Sequence, residues 1–491
     1  MKIPTIDRFQ DGTLLAIFDF AVAPVFPFRP GTREFRQAIS LTHVSHRWRK
    51  ILLDCGRIWS DIHISGQDVD ILSTLIKRCK GAPLSVSINI PRAFAKRSRR
   101  QKFWSDLGGA ANLIQEHRNQ VTRLEHRLGR HSFRRLLGFE WPNLEEFDWI
   151  DDGPLDSSIH QVDYDGELPR LRNLSISLNG GFNWPMTVAK HLTTLSLKGR
   201  GPMDLELAVF TEFLRKNTSL ESLTLTNLKI RGSPSREKPI GLPHLNELSV
   251  HRTTCGDVLD LLDLPSLKRL QASFPTGQSF WSDSHLSKFY GRLSITSLNA
   301  KYFTHRRGNE IRVVGSNGSD TESLYLKELS RTKMDTALSR SMSSPWLSSI
   351  TSFSFIEKMP EEVISFSQIS AICGLLRHLS RVECMHLCPS ELAIEVVRRL
   401  WGDPELCPRL KELGIMVTDK TRKTALDLAG EMLKARAGGG DGWEMMEIDC
   451  PYQTGFQRAF RLRTEVVLRK ANSRSARGRW VRLGQEFTFA P

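Results

Sequence analysis

An apolar triplet, spaced Leu-x-x-Leu-x-Leu, returns again and again along this chain, and it restricts the possible folds more than any other feature. It is carried by Leu144, Phe147 and Trp149; by Leu171, Leu174 and Ile176; by Leu192, Leu195 and Leu197; by Leu220, Leu223 and Leu225; and by Leu245, Leu248 and Val250. Further copies are Leu267, Leu270, Ala272; Ile295, Leu298, Ala300; Ile350, Phe353, Phe355; Val382, Met385, Leu387; and Leu410, Leu413, Ile415. Leading residues stand 21 to 32 apart, apart from one gap of 55 that TESLYL bridges with Leu324 and Leu326. The last two apolar positions are two apart, the period of a strand with one face buried. Segments between them carry helical spacing, as in Val209, Phe210, Phe213, Leu214 and in Val258, Leu259, Leu261, Leu262. Later helices are expected over 363–379, 392–400 and 426–433. Strand followed by helix, repeated, predicts an α/β chain with parallel strands and a curved solenoid form. Three buried aliphatic side chains do not offset the entropy of ordering a unit this long, so neighbouring copies must stack.

The first 65 residues lack the triplet and have helical periodicity instead. In FQDGTLLAIFDFAV, Leu14, Ile17, Phe18, Ala21 and Val22 share one side of a helix, with Asp11 placed to cap its first turn. Leu41, Val44, Trp48, Ile51 and Leu52 follow at the same spacing, predicting one helix across 41–52, and Trp59 falls in a short turn after it. A unit this small is marginal on its own and reads as an interaction module. LSVSINI, with Leu84, Val86, Ile88 and Ile90 alternating, predicts an early strand in a connecting or capping region over 66–118.

The order Leu14, Ile17, Phe18, Leu41, Val44, Trp48, Trp59 resembles the F-box, a helix with an Ile-Phe step followed by a Leu-x-x-Val-x-x-x-Trp helix and a terminal Trp. Aligned on Ile17 and Phe18, the chain has Phe9 at the opening Leu of that pattern, Gln10 at its Pro and Gly12 at its Glu, and AVAPVFPFRPGTREF is inserted after the first helix. The triplets resemble the irregular leucine-rich repeats of F-box proteins, with Lys, Thr, Asn or Ser where many such repeats have Asn. Together the two features look most like the expanded F-box families of mushroom-forming fungi. The resemblance implies a module over 1–65, repeats over 119–455, and a chain that recruits substrates to a Skp-cullin-F-box ubiquitin ligase for degradation. It implies docking on a Skp-family adaptor, and through it on a cullin, by Phe9, Leu14, Leu15, Ile17, Phe18, Leu41, Val44, Trp48 and Trp59. An unidentified protein substrate would then lie on the solenoid's concave strand face or its loops, the face being where Arg172, Asn173, Ser175, Thr193, Thr194, Ser196, Glu221, Ser222, Thr224, Asn246, Glu247 and Ser249 point away from the core.

The formal charge of +15 is concentrated in two stretches. Residues 456–482 carry nine Arg or Lys against Glu465, and RAFAKRSRRQK at 92–102 carries six with no acid. The basic tail over 456–491, with Phe460 and Trp480 interleaved, leaves a weak nucleic-acid contact, and so an RNA-binding or nuclear scaffold, as one alternative; a repeat scaffold without a ligase is another. The eight cysteines form no paired C-x-x-C clusters and are expected to be free thiols. Cys373, Cys384, His386 and Cys388 lie close in sequence but coincide with a triplet, and AGGGDG at 437–442 lacks a phosphate-binding Lys, so neither a metal nor a cofactor is expected. No G-x-S-x-G or H-E-x-x-H occurs, and no enzyme active site is proposed. N-x-S matches at Asn173, Asn217 and Asn317 are taken as chance. With no secretory leader and no long apolar run, the chain is expected in the cytoplasm or nucleus, away from membranes.

Overall fold

A computed structural model describes residues 9–22, 33–64, 69–89, 108–127, 140–150, 168–178, 189–232, 238–253, 256–274, 289, 292–293, 295–305, 308–316, 322–330, 345–358, 366–387, 391–403, 406–410, 412–417, 443–449, 464–470, 479–482 and 485–488. Over these it is α/β with mostly parallel strands. The chain divides into two units, one of residues 1–245 with 261–263, the other of 246–260 with 264–491.

In the first unit, α1 (Asp11–Val22), α2 (Arg33–Thr42) and α3 (His46–Asp54) precede a 3-10 turn at Gly56–Trp59. The strands are β1 (Asp61–Ile64), β2 (Leu84–Asn89), β3 (Val121–Arg127), β4 (Glu146–Ile150), β5 (Asn173–Leu178), β6 (Thr194–Glu206) and β7 (Ser222–Arg231), with α4 (Val69–Arg78) between the first two. Each pairs in parallel with the next in chain order, so every link is a crossover to the adjacent position. The sheet thus starts at Asp61, immediately after the helices and well before the first full triplet, because Ile62 and Ile64 already alternate inward.

The register aligns the triplets into columns. Ile62, Val86, Leu124, Phe147, Leu174, Leu195 and Leu223 form one, and Ile64, Ile88, His126, Trp149, Ile176, Leu197 and Leu225 the other. All are buried. His126 therefore fills an apolar slot of a copy, Val121-x-x-Leu124-x-His126, that the sequence reading did not recognise. Burial drives its pKa down to about 3, so the ring is neutral.

Two further regularities tie copies together. Three residues before most leading positions sits another buried side chain: Trp141, Leu168, Ala189, Asn217 and Leu242 in this unit, Leu264, Leu347, Leu379 and Cys407 in the other. In most copies its carbonyl accepts the amide of the leading residue, as Leu144 N does to Trp141 O (3.3 Å) and Leu245 N to Leu242 O (3.2 Å). One residue after the leading position, a single carbonyl accepts two amides from the following copy. Arg172 and Asn173 donate to Glu145 O, Thr193 and Thr194 to Arg172 O, and Glu221 and Ser222 to Thr193 O. The same ladder recurs in the second unit, where Lys268 and Arg269 donate to Asn246 O and Glu383 and Cys384 to Thr351 O.

The first unit also holds a short parallel pair, β8 (Ile240–Gly241) with β10 (Leu262–Asp263), so Leu262, expected in a helix, is in a strand. The helix there ends at Leu261. In the second unit the strands are β9 (Glu247–His251), β11 (Arg269–Phe274), β12 (Ser297–His305), β13 (Gly308–Ser316), β14 (Glu322–Ser330), β15 (Ser352–Lys358), β16 (Cys384–Leu387) and β17 (Glu412–Val417). Copies do not all lie beside their sequence neighbours. The Leu324 copy pairs with β11, and the Ile295 copy pairs with β15, with β13 running antiparallel between β14 and β12. The 55-residue gap is thus a three-strand excursion. Helices at Phe366–His378 and Glu391–Gly402 match expectation, whereas 363–365 and 426–433 lie outside the described residues. Part of the basic tail is strand: β19 (Thr464–Lys470) pairs antiparallel with β17 and with β18 (Trp443–Asp449), and β20 (Arg479–Arg482) pairs with β18 and with β21 (Gln485–Thr488).

Candidate functional site

The amino-terminal helices form the first candidate surface. The single helix expected across 41–52 is two. Thr42 Oγ1 donates to Ile39 O (2.6 Å) as α2 ends, and Ser45 Oγ accepts the Trp48 amide (3.1 Å) as α3 starts. A serine at the N-cap satisfies an amide the helix itself leaves open, so a break with a new cap wins over continuation. The turn this creates holds Val44 out toward solvent.

Helix α1 is pinned near both ends. Arg47 donates to Asp11 Oδ1 (2.6 Å) and to Phe9 O (2.6 Å), and Arg57 donates to Asp19 Oδ2 (2.7 Å). Asp11 opens the helix and its carboxylate is engaged with Arg47. Beneath, Phe18 and Trp48 meet with ring centroids 4.8 Å apart, a tilted pair. Trp59 Nε1 donates to Leu52 O (2.8 Å), Arg78 lies over the Trp59 ring at 4.8 Å, and the Cys79 thiol donates to Trp59 O (3.1 Å). Burial pushes that thiol up to about 11.

The nine residues singled out from the sequence separate into three groups. Leu14, Phe18, Trp48 and Trp59 are buried and hold the helices together. Leu15 and Leu41 are half-buried. Phe9, Ile17 and Val44 are exposed, at 41%, 37% and 58%. Phe20, which sequence reasoning did not single out, is 86% exposed. Among the described residues the only other large hydrophobic side chain so exposed is Ile71 on α4. Ile17 and Phe20 lie one turn apart on α1, off the buried Leu14–Phe18 stripe, and the Arg47 bond to Phe9 O ties Phe9 to the start of α3.

The second candidate surface is the open face of the β1–β7 sheet. One polar row crosses it in register: His63, Ser87, Glu125, Asp148, Ser175, Ser196 and Thr224. Beside it runs Arg123, Glu146, Asn173, Thr194 and Ser222. Arg127 pairs with Glu125 (2.5 Å) and Arg123 with Glu146 (3.4 Å). Burial, with a smaller contribution from Glu125, raises the Asp148 pKa, while a hydrogen bond with Ser175 opposes the rise. The outward positions expected from the sequence are exposed or half-buried throughout, from Arg172 to Ser249.

Other motifs are placed as follows. Cys373 is buried, Cys384 half-buried, and Cys388 and 437–442 lie outside the described residues; among the described residues no group of His, Cys, Asp and Glu is arranged to hold a metal. Cys55, Cys79, Cys373, Cys384 and Cys407 are free thiols. Asn217, whose N-x-S match is fortuitous, is fully buried, with Oδ1 accepting the Leu192 amide (3.2 Å) and Nδ2 donating to Phe213 O (3.0 Å). Among the described residues no helix is long and apolar enough to cross a membrane. No protein-family model matches the chain, and no curated protein matches its sequence.

Proposed function

We propose that this chain is the substrate-recognition subunit of a Skp-cullin-F-box type ubiquitin ligase, binding a Skp-family adaptor through its amino-terminal helices. The observation that carries the reading is where apolar side chains meet solvent. Four of the five most exposed large hydrophobics among the described residues, Phe9, Ile17, Phe20 and Val44, belong to the α1–α3 segment. Leaving such groups in water is unfavourable, and their concentration in one segment supports a surface that another protein covers. A specific interface of ordinary size buries about 1,600 Å² in total, with a few apolar anchors dominating.

The repeat region is read as an irregular leucine-rich-repeat solenoid, supported by strands that pair one after the next and by the shared carbonyl ladder. Its strand face holds the substrate. The chain forms no bond itself, and acts by raising the local concentration of a target lysine near the ubiquitin-carrying enzyme.

The test is co-purification of the full chain with a purified Skp-family adaptor. Val44→Glu is expected to abolish capture while leaving thermal stability unchanged, since the side chain is 58% exposed. Undiminished capture by Val44→Glu and by Phe20→Asp overturns the assignment.

A further inference from the structure

The open face of the first sheet carries a recess that the docking surface does not use. Along the central polar row, Ser87, Glu125 and Asp148 sit on three adjacent parallel strands, about 4.8 Å from one to the next. Val86 and Ile88 face the core, so Ser87 faces the side of the sheet that Glu125 and Asp148 occupy. The recess is deep. Ser87 is only 8% exposed and the Glu125 side chain 12%.

Its hydrogen-bonding and charge are incomplete. The Ser87 hydroxyl is buried and has no hydrogen-bond partner among the described residues. A buried hydroxyl without a partner is costly, and few native examples lack a reason. The two carboxylates face one guanidinium at close range, that of Arg127 on Glu125, while Arg123 contacts Glu146; both arginines act on Asp148 only from longer range. Asp148 takes part in no ion pair among the described residues and has only the Ser175 hydroxyl as a hydrogen-bond partner. The row therefore offers one carboxylate without a close ion-pair contact, a second beside it and an unused acceptor, all on one line.

We infer that this recess receives an arginine side chain from the protein substrate, its guanidinium bridging Asp148 and Glu125 with Ser87 as a further acceptor. A guanidinium presents five donors in a plane and suits carboxylates set side by side, whereas an ammonium is a point charge. The neutral remainder of the row, Ser175, Ser196 and Thr224, then runs beside the flanking segment of an extended peptide. The inference rests on the strand face being the substrate-holding surface of the proposed function.

The test uses the full chain and a short fluorescent peptide with a single arginine, read by anisotropy against the same peptide carrying neutral, isosteric citrulline. The arginine peptide is expected to bind about tenfold more tightly or better, as suits charge-assisted hydrogen bonds in a recess. Asp148→Asn and Glu125→Gln are expected to erase that preference, and Ser196→Ala to preserve it, with thermal melts showing each variant folded. Equal binding of arginine and citrulline peptides, tighter binding of a lysine peptide, or an arginine preference that persists in Asp148→Asn overturns the inference. Adaptor capture by Asp148→Asn separates the two ideas: capture without arginine preference sinks the recess alone, and arginine preference without capture by the wild-type chain sinks the ligase reading alone.

Discussion

Replacing Asn217 by alanine tests directly whether the copies depend on one another for stability. Asn217 caps the helix Leu207–Lys216 and is completely buried. Its amide oxygen accepts from Leu192, the leading residue of the previous copy, and its amide nitrogen donates to Phe213 O. Truncation leaves the buried Leu192 amide without its acceptor and removes one donor from a buried carbonyl. An unsatisfied buried donor costs about 1–3 kcal/mol, and with the second lost bond the total is about 2–4 kcal/mol. If copies open locally, that sum corresponds to amide exchange about 30- to 700-fold faster through the strand after Leu192. Hydrogen-exchange mass spectrometry reads peptides covering 189–199 and 207–217, and Glu221→Ala, an exposed site in the next turn, serves as the control, expected within about 0.5 kcal/mol of wild type. Acceleration confined to 207–217, with 189–199 unchanged, refutes the claim that Asn217 couples one copy to the next.

Other outcomes follow from the same coordinates. A methyl group at Gly56 would run into the Cys79 carbonyl oxygen, so Gly56→Ala must displace backbone, and a loss of about 1–3 kcal/mol is expected in a thermal melt; an unchanged midpoint contradicts the close approach. His126 has a folded-state pKa near 3 against an ordinary 6.5, so the unfolded chain binds the extra proton between those values. Its contribution to stability is complete above pH 6.5 and is lost as pH falls toward 3, with a slope of up to about 1.4 kcal/mol per unit. Urea midpoints at pH 7 and pH 5 should converge more closely in His126→Leu than in wild type, and equal pH dependence in both rejects the buried neutral ring. Trp48→Ala removes the partner of Phe18 and should cost about 3–5 kcal/mol, unfolding α1–α3 and abolishing adaptor capture together, as circular dichroism and co-purification would show.

The periodic part of this fold is written in the sequence because one-sided burial forces a period of two on strands, and crossovers of similar length repeat it. That is why the pattern alone assigns the leucines from Leu144 to Leu413 to buried columns, and Ser175, Ser196 and Thr224 to the opposite face. The buried residue three positions ahead of most triplets, seen in WPNL, LPRL, LPHL and LPSL, was also present in the sequence but is masked by tolerance: Trp, Leu, Ala, Asn and Cys all fit a slot defined chiefly by a turn. His126 escaped for the opposite reason, since a titratable side chain in an apolar column is recognisable only once its neighbours are known.

Tertiary structure decided the rest. A helical stripe across 41–52 is equally compatible with one helix or two, and the Ser45 cap settles it, leaving Val44 of that stripe exposed in the turn between them. Periodicity shows that Leu14, Ile17, Phe18, Ala21 and Val22 share one side of a helix but not which are covered, because burial depends on what packs against them, as Trp48 does against Phe18. The pairing of the Leu324 copy, and not the Ile295 copy, with Leu270 was likewise undetermined, since every copy offers its neighbour the same apolar pattern. The recess at Ser87, Glu125 and Asp148 joins residues up to 61 positions apart, and only strand register brings them onto one line. Local sequence fixes which face a side chain takes; which partner meets it is set by long-range pairing that no single stretch encodes.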